Sequence, residues 1–330
     1  MVNSTIDKTM DHGPTTNGPS TTRLRARKGS DAMYSRRAFF GFAAGASAAG
    51  VSAALPRAAD ASMCNPPSIT NIPARKAGKV EIAFKSPGPQ PNGLQATKDG
   101  LWIIDQSAGS KAYLVDYADG RVLRSFETDT VRPSGITFDG EALWIGSTFS
   151  YENVRCSATT GAVIERRPTP GSIMYTMAGD PPQRRSPLAG GPLAQARPAL
   201  AEAGETPLAR LTQVPSNRLQ GAHGQEWKDG RLWTTSTSAR SIYEIEPKSW
   251  VVQKIFRTPG NRPHGLAFEG EYLWHGDSNL AAFFKYDTKS GAIVEKIQLG
   301  DADPVAHGLT TWNGTLWYCD DVGVVCRMKI

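Results

Sequence analysis

Beyond residue 90 the apolar positions alternate with polar ones in short runs, such as Lys111–Asp116 and Phe283–Asp287, the period-2 pattern of half-buried strands. A Leu-Trp pair recurs in these runs five times, at Leu101-Trp102, Leu143-Trp144, Leu232-Trp233, Leu273-Trp274 and Leu316-Trp317. Successive tryptophans are 42, 89, 41 and 43 residues apart. Each pair follows a turn containing glycine (Asp99-Gly100, Asp139-Gly140, Asp229-Gly230, Glu269-Gly270, Asn313-Gly314), a strong hairpin signal. About nine residues before each tryptophan stands another glycine, at Gly93, Gly135, Gly224, Gly265 and Gly308.

Four short strands in a unit of about 42 residues make a propeller blade. The spacing therefore predicts an all-β protein, a β-propeller. The last repeat stops at Ile330 after its third strand, while Lys79–Ser86, ahead of the first repeat, resembles the fourth strands elsewhere. Residues 79–86 are thus expected to supply the missing outer strand and close the ring, leaving no open array edge. The 89-residue gap allows two readings: five blades with an insertion, or a degenerate sixth blade. Residues 168–220 are rich in Pro, Ala and Gly, which is poor material for central strands, so five blades with an insertion at 168–220 is the reading adopted. The repeated Leu-Trp pairs read as packing between blades.

The N-terminal part has a different character. Residues 1–32 are polar with no apolar period and read as disordered. Ser35-Arg36-Arg37-Ala38-Phe39-Phe40 is a twin-arginine signature; an uncharged Ala- and Gly-rich stretch from Phe39 to Leu55 and a small-x-small site, Ala59-Asp60-Ala61, follow it in order. Residues 1–61 are expected to be an extension plus signal peptide cleaved after Ala61, with Met33 as an alternative start and 62–78 as a linker. The expected destination is the periplasm or the extracellular space, with the twin-arginine translocation machinery as a partner. The stretch is weakly hydrophobic and predicts no stable membrane span. The net charge of +6 belongs largely to this leader, because the rest of the chain holds 29 basic against 27 acidic residues. No basic field remains for nucleic acid, and a monomer is expected.

Cys64, Cys156, Cys319 and Cys326 lack C-x-x-C spacing, so neither a structural zinc nor a redox motif is indicated. Cys319 and Cys326 flank a turn at Val322-Gly323, which leaves open a cross-strand disulfide or two buried thiols.

The candidate chemistry lies at one mouth of the channel. The residue before each early glycine is Asn92, Ser134, His223, His264 and His307, and propeller geometry brings such equivalent positions together at the axis. Three residues after each tryptophan stand Asp105, Ser147, Ser236, Asp277 and Asp320, ending the second strand on the same side. Imidazoles and carboxylates converging there can hold a divalent ion (Mg, Ca or Zn) or move protons. His223, His264 and His307 are thus candidate catalytic residues, and Asp105, Asp277 and Asp320 candidate metal ligands. Asn92, Ser134 and Glu226, which lies on the inner strand of the third blade, are candidate substrate contacts. The alternative role for these residues is hydrogen bonding at strand entries and turn capping. The insertion would emerge at this mouth as a lid that excludes water.

The run Pro263-His264-Gly265-Leu266 followed by Leu273-Trp274-His275-Gly276-Asp277 resembles the virginiamycin B lyase and SMP-30/NHL-like propellers. The resemblance implies a magnesium-assisted ring opening by elimination, with His264 and His307 as proton-transfer groups and Asp277 and Asp320 as the acids. The lyases of that grouping have seven blades and carry their acid as Glu in a Trp-Phe-Thr-Glu pattern that this chain lacks. Asn92-Gly93-Leu94, Gly100-Leu101-Trp102 and Val115-Asp116 are also similar to five-bladed glutaminyl cyclases, though no Glu follows the first Leu-Trp. The function expected is a lyase or hydrolase of a small cyclic substrate. A non-catalytic ligand- or protein-binding propeller, or a glutaminyl cyclase-like aminoacyltransferase, is the alternative. No phosphate loop, nucleophile elbow or His-Glu-x-x-His motif is present.

Overall fold

The computed structural model describes residues 66–107, 109–172, 188 and 220–330. The twin-arginine leader, its cleavage site, Cys64 and most of the predicted insertion, with its lid role, lie outside the described residues. Five sheets of antiparallel strands make five blades. Blade one holds β3 (Pro91–Thr97), β4 (Gly100–Asp105), β5 (Lys111–Val115) and β6 (Val122–Glu127). Blade two holds β7 (Pro133–Phe138), β8 (Ala142–Ser147), β9 (Glu152–Ser157) and β10 (Val163–Pro168). Blade three holds β11 (Ala222–Lys228), β12 (Arg231–Ser236), β13 (Ser241–Glu246) and β14 (Val251–Arg257). Blade four holds β15 (Pro263–Glu269), β16 (Tyr272–Asp277), β17 (Ala282–Asp287) and β18 (Ile293–Gln298). Blade five holds β19 (Leu309–Trp312), β20 (Thr315–Asp320), β21 (Val324–Lys329) and, from the far end of the chain, β2 (Glu81–Lys85). The protein is a five-bladed β-propeller.

The pairing of β2 with β21, Glu81 opposite Arg327 and Lys85 opposite Val324, closes the ring as the strand pattern at 79–86 predicts. One element differs from the reading. Within the segment read as a linker, β1 (Ala74–Lys76) adds to the outer edge of blade four, parallel to β18. All three of its residues are exposed, so no apolar alternation marks it. It is held by backbone pairing and by the Arg75 Nε–Glu295 Oε1 contact at 2.8 Å.

Why this sequence makes blades is clearest at the Leu-Trp pairs. Neighbouring residues of a strand point to opposite sheet faces, and the central strands are buried on both faces. Each Leu packs into the interface with the preceding blade and each Trp into the interface with the next. Leu101 lies with Trp317 and Val325 of blade five, whereas Trp102 lies with Ile136 and Leu143 of blade two. The same holds around the ring, to Leu316 against blade four and Trp317 against blade one. The pair ties each blade to both neighbours, and a buried tryptophan is worth about 3–5 kcal/mol on truncation. The hairpin turns carry the backbone their residues favour: Asp229-Gly230 (φ 49° and 73°) and Asn313-Gly314 (φ 48° and 67°) are both left-handed at the two central positions.

The cysteine pair resolves to thiols. Cys319 sits opposite Val325 and Cys326 opposite Tyr318, so the two point to opposite faces of the sheet. Cys319 enters the interface with blade one and Cys326 that with blade four. Cys156, Cys319 and Cys326 are free and buried, and burial raises the thiol pKa of each.

Candidate functional site

The first strand of each blade runs beside the axis. Its entry position, Asn92, Ser134, His223, His264 and His307, is buried in every blade. Neighbours around this layer touch one another. Ser134 Oγ donates to Asn92 Oδ1 at 2.8 Å, and His264 meets His223 and His307 edge-on with ring centroids 4.8 Å and 4.6 Å apart. The three histidines form one continuous arc, as the repeat position predicts.

The repeated glycine follows directly. A Cβ on Gly135 would lie 1.7 Å from the His223 carbonyl oxygen, and one on Gly224 1.8 Å from that of His264. The inner strands approach so closely that only a residue without a side chain fits. Two residues beyond the repeated glycine is a second layer, polar in four blades and apolar in blade four: Gln95, Thr137, Glu226, Ala267 and Thr310. Register shifts in β3, β7, β11 and β15 bring both layers to the axis side. The Thr137 hydroxyl lies 2.5 Å from Gln95 Oε1 and 3.4 Å from Glu226 Oε1, and the Trp227 N–H donates to Glu226 Oε1 at 2.9 Å. Burial pushes the Glu226 carboxyl up to about 7 despite these hydrogen bonds. Of the predicted substrate contacts, Asn92 and Ser134 therefore belong to the histidine layer and Glu226 to the layer beneath it.

Four of the five residues ending the second strands share one structural task. Asp105 accepts the Gln90 N–H at 2.8 Å and that of Ser107 at 2.9 Å, along with the Ser107 hydroxyl. Asp277 accepts the N–H groups of Arg262 (3.2 Å), Asn279 (3.0 Å) and Leu280 (3.0 Å). Ser147 accepts from Val131 at 2.8 Å and Asp320 from Val305 at 2.8 Å. In each case the side chain ties the loop entering strand one to the end of strand two. Asp105 and Asp277 spend both oxygens on this, and the structure does not gather them with the histidines into a ligand cluster. Burial raises the Asp277 carboxyl pKa, opposed by the donated N–H groups and by Arg262.

Blade five is different. Among the described residues one group can converge on a cation: His307, Asp320 and Asp321, whose ligand atoms lie within 4.8 Å of one another. His307 Nε2 is 3.8 Å from Asp321 Oδ2. Imidazole nitrogen and carboxylate oxygen suit divalent ions such as Zn, Mn or Mg, and the donor set fits. Asp321 was not among the predicted ligands. The fourth position after the tryptophan is Gln106, Thr148, Thr237, Ser278 and Asp321, so only the acidic pair in the last repeat could have signalled it.

The tautomers follow from the neighbours. His264 Nδ1 lies 3.0 Å from the Arg262 carbonyl and 3.0 Å from Ser278 Oγ, whose own proton goes to the Ala306 carbonyl at 2.5 Å. Both partners therefore accept, Nδ1 carries the hydrogen, and Nε2 keeps its lone pair. His223 Nδ1 and His307 Nδ1 face the carbonyls of Gly221 (3.3 Å) and Val305 (3.4 Å) in the same way. Burial, then the Arg262 charge, hold His223 down to about 3. Burial, then the neighbouring His307 and His223, hold His264 well below the usual imidazole range, with Arg262 adding to this. These two rings are neutral across the physiological range. Sequence reasoning also missed Arg262 and Ser278, which no repeat motif distinguishes.

No family model and no curated protein matches the sequence. Among solved structures the chain superposes on a glutaminyl cyclase from Myxococcus xanthus with a TM-score of 0.48 at 10% identity, over 78% of this chain and 97% of that one. It superposes on virginiamycin B lyase from Staphylococcus aureus with a TM-score of 0.40 at 16% identity, over 73% and 66% of the two chains. For BamB from Moraxella catarrhalis the values are 0.34 and 12%, over 72% and 71%. These are likenesses of propeller architecture, and function has to be argued from the site.

Proposed function

We propose that this protein is an exported propeller enzyme, a metal-assisted lyase or hydrolase of a small cyclic ester, lactone or amide, working at the histidine mouth. The observation that carries the reading is the meeting of His307, Asp320 and Asp321 beside two buried neutral imidazoles. An imidazole nitrogen facing one carboxylate at 3.8 Å, with a second close by, calls for a cation between them or a proton on the ring. His307, Asp320 and Asp321 would hold the ion, and a divalent ion bound there would polarise a substrate carbonyl or ester oxygen. His264 is the proton acceptor: its Nδ1–H is held by Arg262 and Ser278, which turns the lone pair to Nε2 and fixes the ring plane. His223, packed edge-on against His264, buttresses that ring at 4.8 Å.

A second reading, a non-catalytic binding propeller, is favoured by the capping task that Asp105, Ser147 and Asp277 perform at the position shared with Asp320. Elemental analysis of mature protein from its native export compartment separates the two. A stoichiometric divalent ion is expected, lost in Asp321→Asn and in a His264→Ala/His307→Ala double variant, while Asp321→Asn keeps its melting temperature. No ion in any sample would remove the metal-assisted reading. Turnover on lactone, cyclic-peptide and N-terminal-glutamine panels would then decide between enzyme and binding module.

A further inference from the structure

A cavity of about 380 Å³, large enough for a small organic molecule, lies at the outer part of blade five. Its lining includes Lys79, Glu81, Thr315, Trp317, Arg327 and Lys329. Thr315 and Asp320 are the two ends of β20, so the cavity sits at the other end of that strand from the cluster around His307. Register brings the lining together. Lys329 is opposite Thr315, while Arg327 is opposite Trp317 on one side and Glu81 on the other, so these five side chains stand on one face of the sheet.

Two sister blades carry a carboxylate on the same face. In blade two the Trp144 indole donates to Asp139 Oδ2 at 3.1 Å, and Arg155, opposite Trp144, reaches that oxygen at 2.7 Å. In blade four the Trp274 indole donates to Glu269 Oε2 at 2.8 Å, and Lys285, opposite Trp274, reaches that oxygen at 2.8 Å. Asp139 and Glu269 each stand five residues before their tryptophan. One carboxylate thus serves an indole N–H and a cation together.

Blade five keeps the donors and lacks that carboxylate. Five residues before Trp317 stands Trp312, whose ring stacks on Tyr117 of blade one at 5.7 Å. Trp317 is buried, and its indole N–H has no acceptor. Arg327 lies over the Trp317 ring at 5.4 Å and reaches Glu81 Oε2 through Nε at 3.3 Å. Its two terminal nitrogens have no hydrogen-bond partner among the described residues. The other Glu81 oxygen is 3.2 Å from Lys79 Nζ, and Lys329 donates to the Thr315 hydroxyl at 3.0 Å. Three cations therefore share one carboxylate around the cavity. A buried donor without a partner is costly, and an acceptor in place of the missing acid removes that cost.

We infer that this cavity binds a small organic acid, whose carboxylate takes the place that Asp139 and Glu269 fill in their own blades. Arg327 and Lys329 hold the carboxylate, the two terminal guanidinium nitrogens giving a paired hydrogen bond. The carbon body lies along the Trp317 ring and the alkyl stems of Arg327 and Lys329. A carboxylate is specified because carboxylates occupy the same indole and cation geometry in the two sister blades. The cavity spans the seam where β2 closes the ring on β21, so the bound acid stabilises closure. The inference is independent of the histidine mouth.

Hexanoate and its neutral counterpart hexanol, titrated into the purified protein by calorimetry, test this. Hexanoate should bind at one site per chain and raise the melting temperature, and hexanol should do neither. Arg327→Met should weaken hexanoate binding at least about tenfold, as expected for loss of a charge-assisted pair. Trp312→Glu, which restores the acid of blades two and four, should weaken it similarly by filling the seat from within. The Trp317 indole N–H resonance of that variant, assigned with Trp317→Phe, should resemble that of the wild type saturated with hexanoate. Lys329→Met, at an exposed position, stands in if Trp312→Glu does not fold. Absence of hexanoate binding, or equal affinity in the wild type and Arg327→Met, overturns the inference. Equally tight binding of hexanol, or tighter binding of inorganic phosphate, overturns it as well.

Discussion

Replacing His275 with isoleucine should stabilise the protein, and more so in acid. His275 lies on β16, fully buried against Phe284 and Tyr286 with ring centroids 6.1 Å from each, and neither ring nitrogen has a hydrogen-bond partner. Blades one and two carry Ile103 and Ile145 at the equivalent position, and both are fully buried. A buried polar group without a partner costs about 1–3 kcal/mol, so the variant should gain roughly that much near neutral pH. Burial holds the imidazole down to about 3 from its usual 6.5. Between those values the unfolded chain binds a proton that the folded chain refuses. Stability is therefore fully present above about pH 6.5 and is lost as pH falls toward 3. At about pH 5 the loss due to this one ring is about 2 kcal/mol, from about 1.4 kcal/mol per pH unit. Urea denaturation of wild type and His275→Ile at about pH 7.5 and about pH 5 measures the effect. His223 and His264 titrate in both proteins, so they cancel in the comparison. The gap between the proteins should widen by about 2 kcal/mol in acid. A gap that does not change with pH would refute the argument, since it would mean that the ring has a partner or is protonated in the fold.

Two further outcomes follow from the same geometry. Gly224→Ala places a methyl carbon 1.8 Å from the His264 carbonyl, so it should prevent the inner strands from closing; loss of about 4 kcal/mol or more, or failure to fold, is expected. Gly140→Ala, with open space around the added carbon, should cost only about 1 kcal/mol for its left-handed backbone. Comparable losses in the two variants by chemical denaturation would argue against close approach at the axis. Asp105→Ala should cost about 1–3 kcal/mol by leaving the Gln90 and Ser107 N–H groups without their acceptor, and should leave metal content unchanged. Loss of metal in that variant would return Asp105 to the ligand set.

The architecture was legible because a blade is a local object. Strand alternation, Asp-Gly or Asn-Gly turns and a Leu-Trp pair that must bury on both sides recur within about 42 residues, and each is set by neighbours in sequence. Closure by residues 79–86 could be read for the same reason: a fourth strand was missing at one end and present at the other. β1 escaped notice because three exposed residues, held by an edge and one arginine, leave no pattern. The histidine arc was legible because rotation about the axis turns one repeat position into one layer.

What the chain alone determined is thus the repeat: its strands, its turns, the glycine at the axis and the residue types at each equivalent position. Which of those equivalent residues differ in role was decided only by the tertiary structure. Asp105, Asp277 and Asp320 are one position in sequence and all three accept a loop N–H, yet among them the third also meets His307 and Asp321. Register put Cys319 and Cys326 on opposite faces of one hairpin, and loop anchoring set the Arg262 carbonyl against His264 Nδ1. Such differences arise from contacts between segments far apart in the chain, whose distances and charges no periodicity encodes.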